Sequence, residues 1–282
     1  MKAGGSLRAN SAAAAGSPAA RGFTGGWFKD VRAALLSVVF PAGCRICDRL
    51  LSEATRIPIC NECLGSFGPI TGTVCDKCGR AVEGVGGSDA ETFVCPTCAN
   101  DERGGYAFDR VRSWAVYEGA LVRAILLLKF DNIDPLGKLF ARRLAEVVVD
   151  GGAAFQGDVV VPVPLHRQRE RERGYNQAAL IAKPLAKRLG LPYKSVLLTR
   201  IRPRPDKHLL SYEERWESVR GAFATRPGSQ VDNLRVLLVD DVMTSGATLD
   251  SCAKTLRGAG ARSVIGLTVA RAVLRNATER LR

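Results

Sequence analysis

Apolar positions change their period along the chain, and the changes mark out its elements. Trp27, Phe28, Val31, Leu35, Val38 and Val39 recur near helical spacing, predicting a helix over 27–40 that Pro41 and Gly43 end. From there to about residue 100 apolar residues are sparse and glycines frequent. Beyond a polar junction at 99–105 the pattern becomes regular: a strand at 111–117, an apolar helix at 120–130, a second helix at 136–149 and a buried strand at 158–163. A long helix follows over 176–189, in which Pro184 predicts a kink or an interruption. Strands are expected at 195–201, 221–224, 234–239 and 263–270, with a helix at 247–257. Strands alternating with helices predict one α/β domain over 104–282, built on a mostly parallel sheet flanked by helices.

The apolar-poor segment owes its order to cysteine. Eight of the nine cysteines form four Cys-x-x-Cys pairs: Cys44/Cys47, Cys60/Cys63, Cys75/Cys78 and Cys95/Cys98. Two residues between thiolates is zinc-knuckle spacing, because the tight turn lets both sulfurs face one metal. The gap inside the first half is 12 residues and inside the second 16, an internal near-repeat of two four-cysteine ribbons. Sequential pairing of the knuckles is the default, and cross-braced pairing fits the same spacings. Disulfides need an oxidising compartment, and thioredoxin-like chemistry uses a single pair on a βαβ scaffold. Two structural zinc ions therefore supply folding free energy to a segment with little core of its own. Cys252, on the helix at 247–257, reads as a buried structural thiol.

Composition and charge narrow the setting. With 282 residues and 46% apolar composition, the chain can bury a full core. No apolar run reaches the roughly 18 residues of a membrane span. Residues 1–26, rich in Ala, Gly and Ser, read as a disordered tail without the apolar core of a signal peptide, which makes the cytoplasm the expected location. The formal charge is +13, divided as +4 over 1–40, −3 over 41–103 and +12 over 104–282. Residues 166–226 hold 15 cations against 6 acids. That concentration suits a polyanionic ligand or nucleic acid, whereas the mildly acidic ribbons do not resemble electrostatic DNA-binding fingers.

Two segments carry the chemistry. The apolar run from Val236 to Val239 ends in Asp240-Asp241, followed by Val242-Met243, then Thr244-Ser245-Gly246-Ala247-Thr248 and the helical pattern. This order places two acids and a row of free backbone N–H groups at the carboxyl end of a central strand, where open α/β sheets bind ligands. A helix N-terminus behind a small-residue loop is an anion site. The pair suits a molecule with both hydroxyls and a phosphate, namely a ribose 5-phosphate. An Asp-Asp pair also serves as ordinary turn and cap chemistry. A receiver domain is excluded because only 41 residues follow Asp241, and a Walker loop because no Lys follows the glycine. The second segment follows the strand at 158–163. Arg167, Arg169, Arg171 and Arg173 alternate there, before Gly174-Tyr175-Asn176-Gln177. Arginine binds phosphate oxygens bidentately, and Gly174 would let backbone approach a ligand. Solvated charges paired with Glu170 and Glu172 are the alternative.

Taken in order, the helix, the four cysteine pairs, Val161-Pro162-Val163-Pro164-Leu165-His166, Arg173-Gly174-Tyr175-Asn176-Gln177, Arg220-Gly221-Ala222-Phe223 and the Asp240-Asp241 segment resemble the ComF family. These are phosphoribosyltransferase-like proteins with an N-terminal zinc-ribbon module, linked to natural competence and DNA uptake. The resemblance covers residues 27–272 and departs at Lys207 and Ser218, where the family pattern has Gln and Asn. It implies a type I phosphoribosyltransferase fold after a helix plus double ribbon over 27–103. It also implies a phosphoribosyl pyrophosphate (PRPP) or nucleotide-like ligand, with Asp240 and Asp241 on the ribose hydroxyls and Thr244, Ser245, Gly246, Ala247 and Thr248 on the 5′-phosphate. Arg167, Arg171 and Arg173 are the candidates for the pyrophosphate, and Mg²⁺ would ride mainly on ligand oxygens. If turnover occurs, it is displacement of pyrophosphate at the anomeric carbon; His166 and His208 are the loop histidines near it, and no general base stands out. Other functions in keeping with the resemblance are a non-catalytic nucleotide sensor, a single-stranded-DNA-binding accessory factor, and an adaptor whose ribbons recruit the uptake machinery.

Overall fold

The computed structural model describes residues 43–51, 55–82, 93–203, 211–226 and 228–272, the Tyr212 side chain excepted. The tail at 1–26, the helix expected at 27–40, Lys207 and His208 lie outside these residues. The longest apolar run becomes the middle of the sheet. Strand β5 (Arg235–Met243) lies between β6 (Ser263–Arg271) and β2 (Val159–Pro162), and β6 pairs with β1 (Arg110–Val116). All three pairings are parallel. Every residue of Val236–Val239 is buried because both faces of the strand are covered. Leu237 and Val239 face α3 (Gly119–Phe130), α4 (Pro135–Asp150) and α6 (Gln177–Leu189). Val236 and Leu238 face α8 (Ala247–Gly258).

Four expectations need correction. β5 does not stop at Val239: Asp240, Val242 and Met243 still pair with Thr268, Ala270 and Arg271 of β6, so the acids belong to the strand. Pro184 does not interrupt α6. It removes the donor for the Leu180 carbonyl, and Gly137 of α4 packs there, where a Cβ would come within 2.5 Å of Leu180 O. The strands expected at 195–201 and 221–224 shorten to β3 (Leu198–Arg200) and β4 (Phe223–Thr225). They pair antiparallel with each other, outside the main sheet. With α7 (Tyr212–Glu217) they form a flap docked on α8, where Ser251 Oγ donates to Val219 O at 2.6 Å. Finally, the alternating arginines lie on a short helix, α5 (Arg167–Arg173). At about 100° per residue, Arg167 and Arg171 share one side, and Arg169 and Arg173 another.

The ribbons close the open edge of the sheet. Residues 68–79 run beside β1: Val116 N donates to Gly68 O, Ile70 N to Trp114 O and Val111 N to Lys77 O, at 2.9–3.0 Å. Arg112 reaches across to Cys75 O, Asp76 O and the Asp76 carboxylate. Gly79 has φ +66°, and a Cβ would sit 2.6 Å from Val111 O. An edge strand that would otherwise offer unpaired backbone groups is thereby covered. Both apolar clusters of the sheet include ribbon residues, Ile46, Ile59 and Phe67 on one face, and Cys75, Cys78 and Cys95 on the other.

Candidate functional site

The cysteines gather into two tetrads, Cys44/Cys47/Cys60/Cys63 and Cys75/Cys78/Cys95/Cys98, so sequential pairing holds. Within each set all four sulfurs lie within 4.8 Å of one another. Cys47 Sγ is 3.7 Å from Cys60 Sγ, and Cys78 Sγ 3.8 Å from Cys95 Sγ. A tetrahedron with Zn–S bonds of about 2.3 Å has edges of about 3.8 Å, whereas a disulfide needs about 2.05 Å. Backbone N–H groups point at the sulfurs, as thiolates require: Cys60 N to Cys44 Sγ and Cys95 N to Cys75 Sγ, both 3.3 Å. These are two zinc-binding sites, each with four cysteine ligands. The α1 turn (Asn61–Gly65) and the α2 turn (Pro96–Ala99) each begin just after a ligand cysteine.

At the carboxyl end of β5 a second kind of site forms around the turn into α8. Gly246 caps that helix with φ +85°, having no side chain to offer, and Ala247 N makes only a long 3.4 Å bond to Ser245 Oγ. A Cβ at Gly246 would meet Met243 Cε at 2.8 Å and Tyr106 Cε1 at 3.0 Å, so only glycine fits. The loop is held from outside: Tyr106 Oη donates to Ser245 O at 3.1 Å, and Ala107 N donates to the buried Asp250 carboxylate at 2.7 Å. Asp240, Thr244, Ser245, Gly246, Ala247 and Thr248 line one cleft, with the first-turn N–H groups of α8 at its wall. This is an anion-binding geometry.

The two acids behave differently. Asp240 is half-buried in the cleft; burial first, and then the neighbouring Asp241 charge, push its carboxyl up to about 8. Asp241 is buried, its Oδ2 lying 2.7 Å from Lys129 Nζ at the end of α3, while its Oδ1 accepts from Val242 N at 2.8 Å. Burial opposes ionisation of Asp241, but the Lys129 charge outweighs it and leaves the carboxyl below its usual value. One acid is thus held ionised and one is held back from ionisation.

The arginine helix contributes unevenly. Arg167 and Arg171 are exposed, and only Arg173 turns inward. Its guanidinium donates to Gln177 Oε1 at 2.5 Å, packs 5.1 Å from the Phe130 ring and feels the Asp241 charge. Gly174 is the left-handed cap of α5, and Asn176 caps α6 through Ala178 N while bonding Val163 O. Gly174-Tyr175-Asn176 is therefore a helix-to-helix turn. Two cations without a motif signal, Arg200 and Arg215 from the flap, line the cleft with the loop, whereas Lys129 and its partner Asp241 lie outside that lining. Ser218, at the departure from the family pattern, also lines the cleft. His166 precedes α5 and is bridged to Arg200 through backbone.

Comparison with known sequences agrees with both halves. Residues 35–100 match the double zinc ribbon domain, and residues 176–280 the phosphoribosyl transferase domain. The chain is 28% identical over 224 residues to "Competence protein F" of Haemophilus influenzae, which covers 76% of this chain and 96% of that one. It is 30% identical over 207 residues to "DNA utilization protein YhgH" of Salmonella typhi, covering 68% of this chain and 87% of the relative. Against "Competence protein ComFC" of Bacillus subtilis it is 28% identical over 221 residues, with coverage of 76% and 84%. Among the described residues no helix is long and apolar enough to cross a membrane.

Proposed function

The chain belongs to the ComF family, a phosphoribosyltransferase-like parallel sheet joined to a double zinc ribbon, and from that premise we propose that it binds PRPP or a related ribose 5-phosphate in support of DNA uptake. The observation that supports this most is the single cleft in which Asp240 meets the loop Thr244–Thr248. Asp240 and Asp241 take the ribose hydroxyls, while the loop amides and hydroxyls hold the 5′-phosphate. Lys129 fixes the orientation of Asp241. Arg173, the inward arginine of α5, faces the pyrophosphate, with Arg167 and Arg171 as outer cations. Mg²⁺ is carried chiefly by pyrophosphate oxygens and supplies charge neutralisation there. Transfer, if a base is present, is displacement of pyrophosphate at the anomeric carbon, promoted by positioning and by cations at the leaving group.

Calorimetry with PRPP and Mg²⁺ tests the assignment. Wild type is expected to bind and Asp240→Asn/Asp241→Asn to lose most affinity; no binding by wild type, or equal binding by the double variant, overturns the pocket. Pyrophosphate release on adding a panel of bases identifies a transferase.

A second reading has its own support: the relatives are named for competence and DNA utilization, and Arg167, Arg169 and Arg171 project from α5 into solvent. On that reading the protein is a single-stranded-DNA accessory factor, and its signature is salt-dependent retention of oligonucleotide without pyrophosphate release.

A further inference from the structure

We propose that Arg200 and Arg215, brought by the flap, are the specificity-determining residues of the anion cleft and select a terminal phosphate monoester over an internal phosphodiester. This rests on the reading of the Thr244–Thr248 loop as a phosphate site and names what that site selects.

Helix termini bind anions through neutral N–H groups whose summed dipole is only about half a positive charge, so such a wall alone separates monoesters from diesters weakly. This cleft has a second, charged wall. Arg200 ends β3, and Arg215 lies on α7; both line the cleft with Thr244, Ser245 and Thr248. Arg200 is only 8% exposed, so its charge is itself poorly hydrated and its electrostatic interactions are stronger than in water. It is held in place: its Nε donates to Arg202 O at 2.9 Å, its guanidinium lies 5.2 Å from the Phe223 ring, and its backbone is bridged to His166. The flap is itself fastened to α8 through Ser251, whose Oγ donates to Val219 O.

A guanidinium fork pairs with two oxygens at once, and two forks opposite a row of amides match three terminal oxygens and two negative charges. A monoester is a dianion near neutral pH. A diester carries one charge, has two free oxygens, and needs an exit for a second ester arm between flap and loop. The same wall therefore favours ribose 5-phosphate or a 5′-nucleotide and disfavours the inner links of a nucleic acid strand.

The test uses the full, zinc-loaded chain with three probes: ribose 5-phosphate, its methyl diester and ribose. Calorimetry is run on wild type, Arg215→Gln and Arg200→Lys, the latter keeping the charge but not the fork. Wild type should prefer the monoester to the diester by at least about tenfold, and each variant should lose roughly tenfold to a hundredfold in monoester affinity. Diester and ribose affinities should barely move. Zinc content and thermal midpoint check folding; Arg215 is half-exposed, so its variant decides if Arg200→Lys misfolds. Wild-type binding that both folded variants retain overturns the role of the arginines and leaves the pocket. Equal binding of diester and monoester overturns the selectivity. A wild type that binds none of the probes overturns the pocket and this inference with it.

Discussion

Lys129 Nζ stands 2.7 Å from Asp241 Oδ2, with the aspartate side chain 6% and the lysine side chain 25% exposed. The final turn of a mostly apolar helix thus delivers a cation to the acid that ends the apolar core of β5. Removing one partner of a buried pair leaves the other charge uncompensated and costs about 3–5 kcal/mol. Lys129→Met is expected near the lower end, because part of the lysine reaches solvent. Urea denaturation at neutral pH measures it, and Lys129→Met/Asp241→Asn should recover part of the loss. Full additivity of the two single changes would show that the pair is not coupled.

Asp240 gives the opposite pH response. Its carboxyl is raised in the fold to about 8, against 3.8 unperturbed. Such a group contributes stability fully below its unfolded value, and that contribution is lost as pH rises through the folded value. The wild type therefore forfeits stability between about pH 4 and 8 that Asp240→Asn keeps. The variant's advantage should be near zero at pH 4 and on the order of 2 kcal/mol by pH 8. Asp241 runs the other way, losing its contribution only as pH falls below its unfolded value. Thermal midpoints of both proteins across pH 4–9 check the sign; a gap that shrinks with rising pH refutes it. The same substitution should weaken ribose 5-phosphate binding, so stability and binding separate.

Much of this site was legible in the sequence because its signals are local. The run Val236–Val239, the acids and the glycine at 246 needed only strand, turn and cap chemistry, and the four knuckles needed only spacing. What stayed hidden depends on contacts across the fold. Lys129 reads as an ordinary C-terminal helix cation until α3 packs against β5. Arg200 and Arg215 lie 40 and 25 residues before Asp240 and reach the cleft only because β3 pairs with β4 rather than joining the sheet. The alternating arginines suggested a single wall, which the helical period of α5 divides.

Zinc removal should be stepwise. In the first tetrad Cys47 is exposed, whereas in the second Cys75, Cys78 and Cys95 are all buried and share a core with Val111 and Met243. Chelator challenge followed by a metallochromic dye is expected to give two phases, the faster abolished in Cys47→Ser. Loss of the second ion should uncover the β1 edge and increase amide exchange at residues 110–116. A single phase, or unchanged exchange there in metal-free protein, contradicts this division of labour.

Tyr106 and Gly246 form the last support of the Thr244–Thr248 loop. Gly246→Ala forces a residue with a side chain into φ +85° and drives its Cβ against Met243 Cε and Tyr106 Cε1. The left-handed conformation alone costs about 1–2 kcal/mol, and the collision adds to it because Tyr106 is stacked on Phe108 at 4.4 Å and has little room to yield. Tyr106→Phe removes the hydrogen bond to Ser245 O, worth about 1 kcal/mol, and keeps the ring in place. The two changes therefore separate shape from tethering. Gly246→Ala should destabilise by about 2–3 kcal/mol and abolish measurable ribose 5-phosphate binding, because the first-turn amides are displaced. Tyr106→Phe should leave the thermal midpoint nearly unchanged and weaken binding a few-fold, through a looser Ser245 carbonyl. Chemical denaturation and calorimetry on the two variants measure both quantities. Equal losses of affinity would mean that the tether, not the glycine's conformation, sets the loop.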